Sequence, residues 1–365
     1  MRNTFSQSQT SLKKDSGLIL IVVMGILLIL SLLAVGLGRS VLMELSLTKY
    51  FTGQLKSQYI ARAGVIYGLN QIRRDTQDER GGLFDSLYEC AVKIPDDQTP
   101  AALFQHIPVG EGYFDIRYTP SGQGLGPTEE FCGFEDEERK LNMNAMTPET
   151  SPILRRLISK LGFDDTTART IAASVVDWID PDSEVTDQSF GAEDSYYGQL
   201  ANPYYCKNFP FDSPEELLLV RGVTPEVFKQ LQDLVTVFPQ KTSRFLVNIN
   251  TASETVLGAL AENFSGPPTN TDLADAQSLT RKIIEWRSGE DGRPMTGDDR
   301  LVTMSDLKLN AREEAIFRAL EKYLTPISRY IRLQVQGWDE SSDATSRIEA
   351  VVNRDDLSIV SWKRD

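Results

Sequence analysis

The stretch Gly17-Leu-Ile-Leu-Ile-Val-Val-Met-Gly-Ile-Leu-Leu-Ile-Leu-Ser-Leu-Leu-Ala-Val-Gly-Leu37 decides how this chain is read. No charge interrupts Leu18 to Leu37, and Ser31 is its only polar side chain. At about 1.5 Å per residue, a helix of that length reaches roughly 30 Å, the thickness of a bilayer's hydrocarbon core. A secretory signal has a shorter apolar run, roughly 7–15 residues, and a small-x-small cleavage site, whereas this flank reads Val35-Gly36-Leu37-Gly38-Arg39. The run is therefore expected to remain as a spanning helix. Lys13 and Lys14 precede it, so the positive-inside bias keeps the N-terminus cytoplasmic and sends the bulk of the chain across the membrane.

Helical character continues past the span. Val41, Leu45, Thr48, Thr52, Leu55, Tyr59, Ala63, Ile66 and Leu69 keep a spacing of three or four, and no proline occurs before Pro95. This predicts one helix over Leu18–Arg74, half in lipid and half amphipathic beyond it. Its glycines, Gly25, Gly36, Gly38, Gly53, Gly64 and Gly68, suit bending or close approach to other helices.

The chain has 365 residues and a formal net charge of −14. Arg2, Lys13 and Lys14 against Asp15 give the first 17 residues +2, which leaves −16 on the remainder. Such an acidic region repels nucleic acid and anionic lipid and suits divalent cations. Cys90, Cys132 and Cys206 allow one disulfide and leave one thiol over. No CxxC pair is present and His106 stands alone, which argues against a zinc site.

Gly112-Tyr-Phe-Asp-Ile-Arg-Tyr118 alternates and predicts a strand, and a second is expected around Glu130–Phe134. Beyond Asn144 the chain reads as short helices with start signals: Ser213-Pro-Glu-Glu216 as a capping box, Thr224-Pro-Glu226 and Thr147-Pro-Glu149 as cap-plus-proline beginnings. Alternation returns at Tyr330–Val335 and Arg347–Val352, with a last short run at Leu357–Trp362. The fold class is α+β: a long helix on an antiparallel sheet, interrupted by a large α-helical insertion. The insertion is internally duplicated, since Asn142-Met-Asn-Ala-Met-Thr-Pro-Glu-Thr150 resembles Asn248-Ile-Asn-Thr-Ala-Ser-Glu-Thr255. The expected organisation is a leader over 1–17, the helix over 18–74, sheet over 75–143, helical insertion over 144–325 and closing strands over 326–365.

Two segments, Leu157–Ile171 and Leu217–Phe228, place a glycine turn between helices as helix-hairpin-helix nucleic-acid modules do. Near Gly222, however, Arg221 and Lys229 face Glu215, Glu216, Glu226 and Asp233, so repulsion outweighs phosphate binding and the hairpins read as packing units. The sharpest chemical signal is Asp177-Trp-Ile-Asp-Pro-Asp-Ser-Glu-Val-Thr-Asp187 with Glu193-Asp194: seven carboxylates in eighteen residues. Asp180, Asp182 and Glu184 alternate as hard-oxygen ligands do, and Asp187, Glu193 and Asp194 extend the set. Val185 and Gly191 stand where an EF-hand needs glycine and glutamate, so the loop is of another kind. Held behind the packed positions Ile171, Val175, Val176 and Ile179, these charges call for a counter-ion, calcium before other metals. Asp298 and Asp299, near Glu290-Asp291-Gly292, form a weaker cluster that would bind a second ion or contribute to the first. No nucleophile, zinc-protease or phosphate-loop motif occurs, so the chain reads as a non-enzyme.

The boundary at Gly17 resembles the leader of type IV pilins and pseudopilins. With Ala61-Arg-Ala-Gly64, Asp177-Trp-Ile-Asp180, Pro210-Phe-Asp-Ser-Pro-Glu-Glu-Leu217, Val220-Arg-Gly-Val-Thr-Pro225 and Val247-Asn-Ile-Asn-Thr-Ala252, nearly the whole chain resembles the general secretion pathway protein K family, the large minor pseudopilin of type II secretion systems. The resemblance implies a pseudopilin fold with a calcium-binding helical insertion, prepilin-peptidase cleavage after Gly17, and a methylated new terminus at Leu18. It further implies an inner-membrane anchor with a periplasmic head, and a pseudopilus-tip complex with minor pseudopilins I and J. Most pilins carry glutamate at the fifth mature position. Here it is Val22, which suits a subunit with nothing above it, because an unpaired carboxylate in lipid is costly. The alternative reading is a type IV pilus minor pilin or a membrane-anchored calcium-dependent adhesin.

Overall fold

A computed structural model describes residues 15–77, 84–88, 94, 98–119, 131–242, 244–265 and 271–364. Helix α1, Asp15–Gln77, is continuous through both the apolar run and the amphipathic half, and it is long and apolar enough to cross a membrane. Its C-terminal half lies on an antiparallel sheet. That sheet contains β1 (Ile107–Val109), preceded by the short α2 (Pro100–Phe104), and β2 (Gly112–Tyr118), β3 (Phe131–Cys132) and β4 (Glu135–Asp136). Much later in the chain come the other three strands, β9 (Tyr330–Asp339), β10 (Ala344–Asn353) and β11 (Ile359–Arg364). Among the described residues the main order is β1-β2-β9-β10-β11, with β3 on β2 and β4 on β9. The β9–β10 hairpin runs in register from Tyr330 opposite Asn353 to Asp339 opposite Ala344. Alternation along β9 turns Ile331, Leu333 and Val335 under α1, where they meet Ile60, Ala61, Val65 and Ile72. The strand expected at Glu130–Phe134 is the two-residue β3, and Glu130 lies outside the described residues.

The helix face that packs is not the one its spacing suggested. Leu55, Tyr59 and Ile66 point outward, each more than half exposed, while Ala61, Gly64 and Gly68 meet the sheet. Close approach explains the choice. A Cβ on Gly337 of β9 would sit 2.5 Å from the backbone nitrogen of Ala61, and one on Gly64 would sit 2.8 Å from the Phe114 ring. Small residues let helix and strand backbones touch, but they carry little hydrophobic signal in a sequence. The glycines of this half serve a sheet contact rather than a helix contact.

Between β4 and β9 the chain builds a second core from two similar copies. The first starts at β5 (Leu141–Asn142), continues through α3 (Ser151–Lys160), α4 (Asp165–Ile179), the short α5 (Asp194–Tyr197) and α6 (Pro225–Leu231), and returns at β6 (Val235–Thr236) parallel to β5. The second starts at β7 (Val247–Asn248), continues through α7 (Glu254–Asn263), α8 (Leu273–Arg287) and α9 (Ala311–Leu320), and returns at β8 (Leu324–Thr325) parallel to β7. Equivalent asparagines fix both returns. Asn144 donates to Val237 O (2.8 Å) and accepts from Phe211 N (2.7 Å). Asn250 donates to Pro326 O (3.2 Å) and accepts from Val302 N (3.0 Å). The copies meet where α3 packs on α7.

Two expected helix starts differ. Thr147-Pro-Glu149 forms a turn, and α3 begins at Ser151 with Pro152 in its first turn. Ser213 makes no side-chain cap and opens a 3-10 helix over Pro214–Leu219. Glu216 instead accepts from Asp212 N (3.0 Å) and pairs with Lys207 (2.7 Å). Thr224 does cap α6 through Val227 N.

Candidate metal centre

Helix α4 is held from both ends. Asp164 caps its start through Thr167 N, and Ile171, Val175 and Val176 are buried, with Ile179 half-buried. The acidic loop then leaves at Asp180 and returns at Glu193. Asp177, fully buried in the last turn of α4, accepts from Thr186 N (2.7 Å) with one oxygen and from Ala192 N (2.6 Å) with the other. One carboxylate therefore clamps both arms of the loop. Arg221 donates to Gly191 O (2.7 Å) and lies 4.7 Å over the Tyr196 ring, so the cation of the glycine hairpin is used internally. Trp178, Tyr197 and Tyr204 form the aromatic wall behind it, Tyr197 stacking on Tyr204 at 5.1 Å.

Inside this frame sit oxygens with nothing to bond. Asp180 Oδ1, both carboxylate oxygens of Glu193 and Asn208 Oδ1 are buried without a hydrogen-bond partner among the described residues, and Glu193 is 2% exposed. Asn208 is held in the left-handed region (φ 48°), donating from Nδ2 to Asp182 O at 2.7 Å. Burial, then the charges of Asp182 and Asp177, push the Asp180 carboxyl up to about 6. Burial, then Asp177 and Asp180, push Glu193 up to about 7. The Cys206 thiol, 3.4 Å from Asp177 O, is pushed up to about 12 by burial and by Glu193.

The predicted carboxylates divide into two groups. Asp180 and Glu193 turn inward, whereas Asp182, Glu184, Asp187 and Asp194 are exposed. Asp182 accepts from Glu184 N (2.8 Å), Asp187 from Ser189 N (2.8 Å) and Asp194 from Cys206 N (2.7 Å). Among the described residues no three acidic, histidine or cysteine side chains converge on one point. The donors nevertheless fit a hard cation. Four of the orphaned atoms are acceptor oxygens, beside the orphaned Trp178 Nε1 donor of the aromatic wall; each costs about 1–3 kcal/mol if left unsatisfied, and calcium takes oxygen ligands of the first kind. Asn208 was not visible as part of this set in the sequence, since an asparagine outside the acidic run carries no ligand spacing.

The weaker cluster is the matching loop of the second copy, after α8, where Trp286 follows Glu285 as Trp178 follows Asp177. Asp298 accepts from Thr296 Oγ1 (2.6 Å), Glu290 N (2.5 Å) and Asp291 N (3.2 Å), which hold its carboxyl below the usual range. Asp299 accepts from Tyr88 N and Met295 N and keeps Oδ1 buried without a partner, and burial pushes it up to about 7. Their bonds run within residues 290–299 and to Tyr88, not to the first loop. Of the cysteines, Cys206 lies buried beneath the first loop and Cys90 lies outside the described residues. Gly17, Leu18 and Val22 stand exposed in the first turns of α1, and Lys13 and Lys14 lie outside the described residues.

Residues 139–240, which include the first copy and its acidic loop, match the family model described as type II secretion system (T2SS), protein K. The chain is 37% identical over 97 residues to the type II secretion system protein K of Aeromonas hydrophila, covering 27% of this chain and 28% of that protein. It is 33% identical over 146 residues to the protein of the same name from Pectobacterium carotovorum subsp. carotovorum, covering 40% and 42%. The matched stretches thus span less than half the length of these curated relatives. In fold, it is similar to a chain of the crystal structure of the GspK-GspI-GspJ complex from the enterotoxigenic Escherichia coli type 2 secretion system, with a TM-score of 0.61 and 18% identity. That likeness covers 87% of this chain and 99% of the other.

Proposed function

We propose that the chain is a member of the type II secretion system protein K family, a reading supported by the family match over residues 139–240 and by its similarity to proteins of that name, and that it is a minor pseudopilin that caps and helps initiate a periplasmic pseudopilus. The observation that carries this reading is α1 itself, one unbroken helix that is apolar on every side over Leu18–Leu37 and whose second half is built into a sheet. Such a helix delivers a folded head directly from a bilayer into an assembly. In this reading prepilin peptidase cuts after Gly17 on the cytoplasmic side of the inner membrane, Leu18 becomes the methylated terminus, and the head works in the periplasm. Its partners are the counterparts of GspI and GspJ. Calcium, held by Asp180, Glu193 and Asn208 with Asp182 and Asp194 at the mouth, stiffens the head rather than performing chemistry.

The test is co-purification of the full chain, extracted in detergent, with those two counterparts, followed by intact-mass analysis. The expected outcome is a stable ternary complex whose chain begins at Leu18. A chain that purifies alone, or retains residues 1–17 in cells with active peptidase, overturns the reading.

A further inference from the structure

Where β9 and β10 end away from their hairpin, three parts of the chain meet around a cavity of about 280 Å³. The segment between β4 and β5 supplies Glu138 and Lys140, the link from β6 to β7 between the two copies supplies Lys241 and Arg244, and the sheet side supplies Arg329, Tyr330 and Asp355. Ligand pockets begin at roughly 300 Å³, so this one suits a small ligand. Its charge is opposite to that of the chain. The sequence carries 52 acidic residues against 38 lysines and arginines, yet four cations and two carboxyls line this cavity.

Pairing accounts for part of this surplus. Lys140 is buried against Glu135 (2.9 Å), and Arg329 Nε lies 3.7 Å from Asp355. Glu138 accepts from Arg329 N and Tyr330 N, and burial with the charge of Asp136 pushes its carboxyl up to about 8, so it adds no charge at neutral pH. Lys241 and Arg244 remain. Both are exposed at the rim, on a turn that Thr242 closes by donating to Arg244 O (3.1 Å) and accepting from Arg244 N (3.0 Å). Neither has an ion-pair partner among the described residues. We propose that this cavity binds a small tetrahedral dianion, of the phosphate or sulfate class, between Lys241, Arg244 and Arg329, with the Tyr330 phenol as a neutral donor. Two uncompensated positive charges balance a dianion, and a guanidinium fork matches paired oxygens, which chloride lacks. A free ion fits better than a lipid headgroup. Asp75, near the end of α1, pairs with Arg354, next to Asp355 of the cavity, so roughly 55 Å of helix separates this level from the end of the apolar run. A bound anion ties the link between the copies to the sheet.

The inference stands apart from the pseudopilin reading, and its test needs no partner protein. Sulfate is the probe, since it is a dianion throughout the working pH range and stays soluble beside calcium. The full chain in detergent is titrated calorimetrically with sodium sulfate against a chloride buffer of constant ionic strength. Wild type and the control R281A, which removes an exposed cation of α8, are expected to bind one sulfate per chain. The double variant K241A/R244A is expected to bind roughly tenfold more weakly or not at all, with an unchanged melting temperature in chloride. A second measurement uses the unaltered chain and so covers the case of an unstable variant: sulfate should slow acetylation of Lys241 and leave that of the exposed Lys229 of α6 unchanged. The absence of saturable binding to wild type overturns the site. Equal binding by the double variant, equal loss in R281A, or acetylation of Lys241 that ignores sulfate does the same.

Discussion

Glu193 shows how much one side chain decides. It is buried with both carboxylate oxygens unpartnered, beside Asp180 and Asp177, in a frame that Asp177 keeps from opening. Without a cation the folded chain must hold either an uncompensated charge or a proton there. Calcium is therefore expected to raise the melting temperature of the full chain and a chelator to lower it, by about 2.7 kcal/mol of stability at one hundred times the dissociation constant. E193Q should remove most of that calcium response and melt higher than wild type in chelator, because the buried charge is gone. Equal calcium responses in the two proteins, or none in either, would return the loop to a solvated acidic turn. Sequence reading found the acidic run because seven carboxylates in eighteen residues are conspicuous. It could not sort inward from outward members. That division follows from Asp177 clamping Thr186 and Ala192, a tertiary fact with no spacing signature.

At the scale of elements, the strap Glu135–Lys140 joins everything else. Glu137 accepts from the Thr236 hydroxyl of the first copy and pairs with Arg332 of β9. Asp136 accepts from Asn248 (3.1 Å) and Thr251 of the second copy and faces Asp85, Ser328 and Arg139. Glu138 accepts from Arg329 N and Tyr330 N at the start of β9. Burial and Asp85 push Asp136 up to about 6, and burial and Asp136 push Glu138 up to about 8. For Glu137 burial acts upward as well, but Arg332 and Lys140 outweigh it and hold the carboxyl down to about 2. The signs follow from which state binds more protons. Asp136 and Glu138 keep protons that an unfolded chain releases above its ordinary 3.8 and 4.5, so stability falls as pH rises through 6 toward 8. Glu137 contributes above its ordinary 4.5 and loses that contribution only on acidification toward 2. In saturating calcium, the melting temperature should drop by a few degrees between pH 5 and pH 8, the shift expected for roughly 1–2 kcal/mol in a head of this size. E138Q, whose amide oxygen still accepts from Tyr330 N, should flatten that slope, and an equal slope in both proteins would refute the account. The strap was legible only as a run of charge. The long strands β2, β9 and β10 were legible from alternation, whereas the two-residue parallel pairs that close each copy are too short to leave a period; the repeated Asn-x-Asn revealed the duplication but not these pairs.

At the scale of the molecule, the question is where such a subunit can sit. Within the membrane α1 offers Val22 where the pilin pattern has a glutamate, exposed on the isolated helix. An ionised carboxylate costs roughly 2.5–3.5 kcal/mol at the centre of a spanning helix and less toward its end, where Val22 lies, and pairing with a neighbouring terminal amine offsets that cost. A subunit that is added beneath another gains that pairing, while one with nothing above it does not. Valine therefore suits the first position and handicaps every later one. In pseudopili sheared from cells and labelled through an epitope on the head, wild type is expected at one end only. On the proposed function, V22E should preserve partner binding by the head, which lies beyond the apolar span, yet place label along the filament as well. V22E label confined to one end would mean that the bulk of the two-copy insertion, not the missing charge, restricts the subunit. Wild-type label along the length would remove the tip assignment itself.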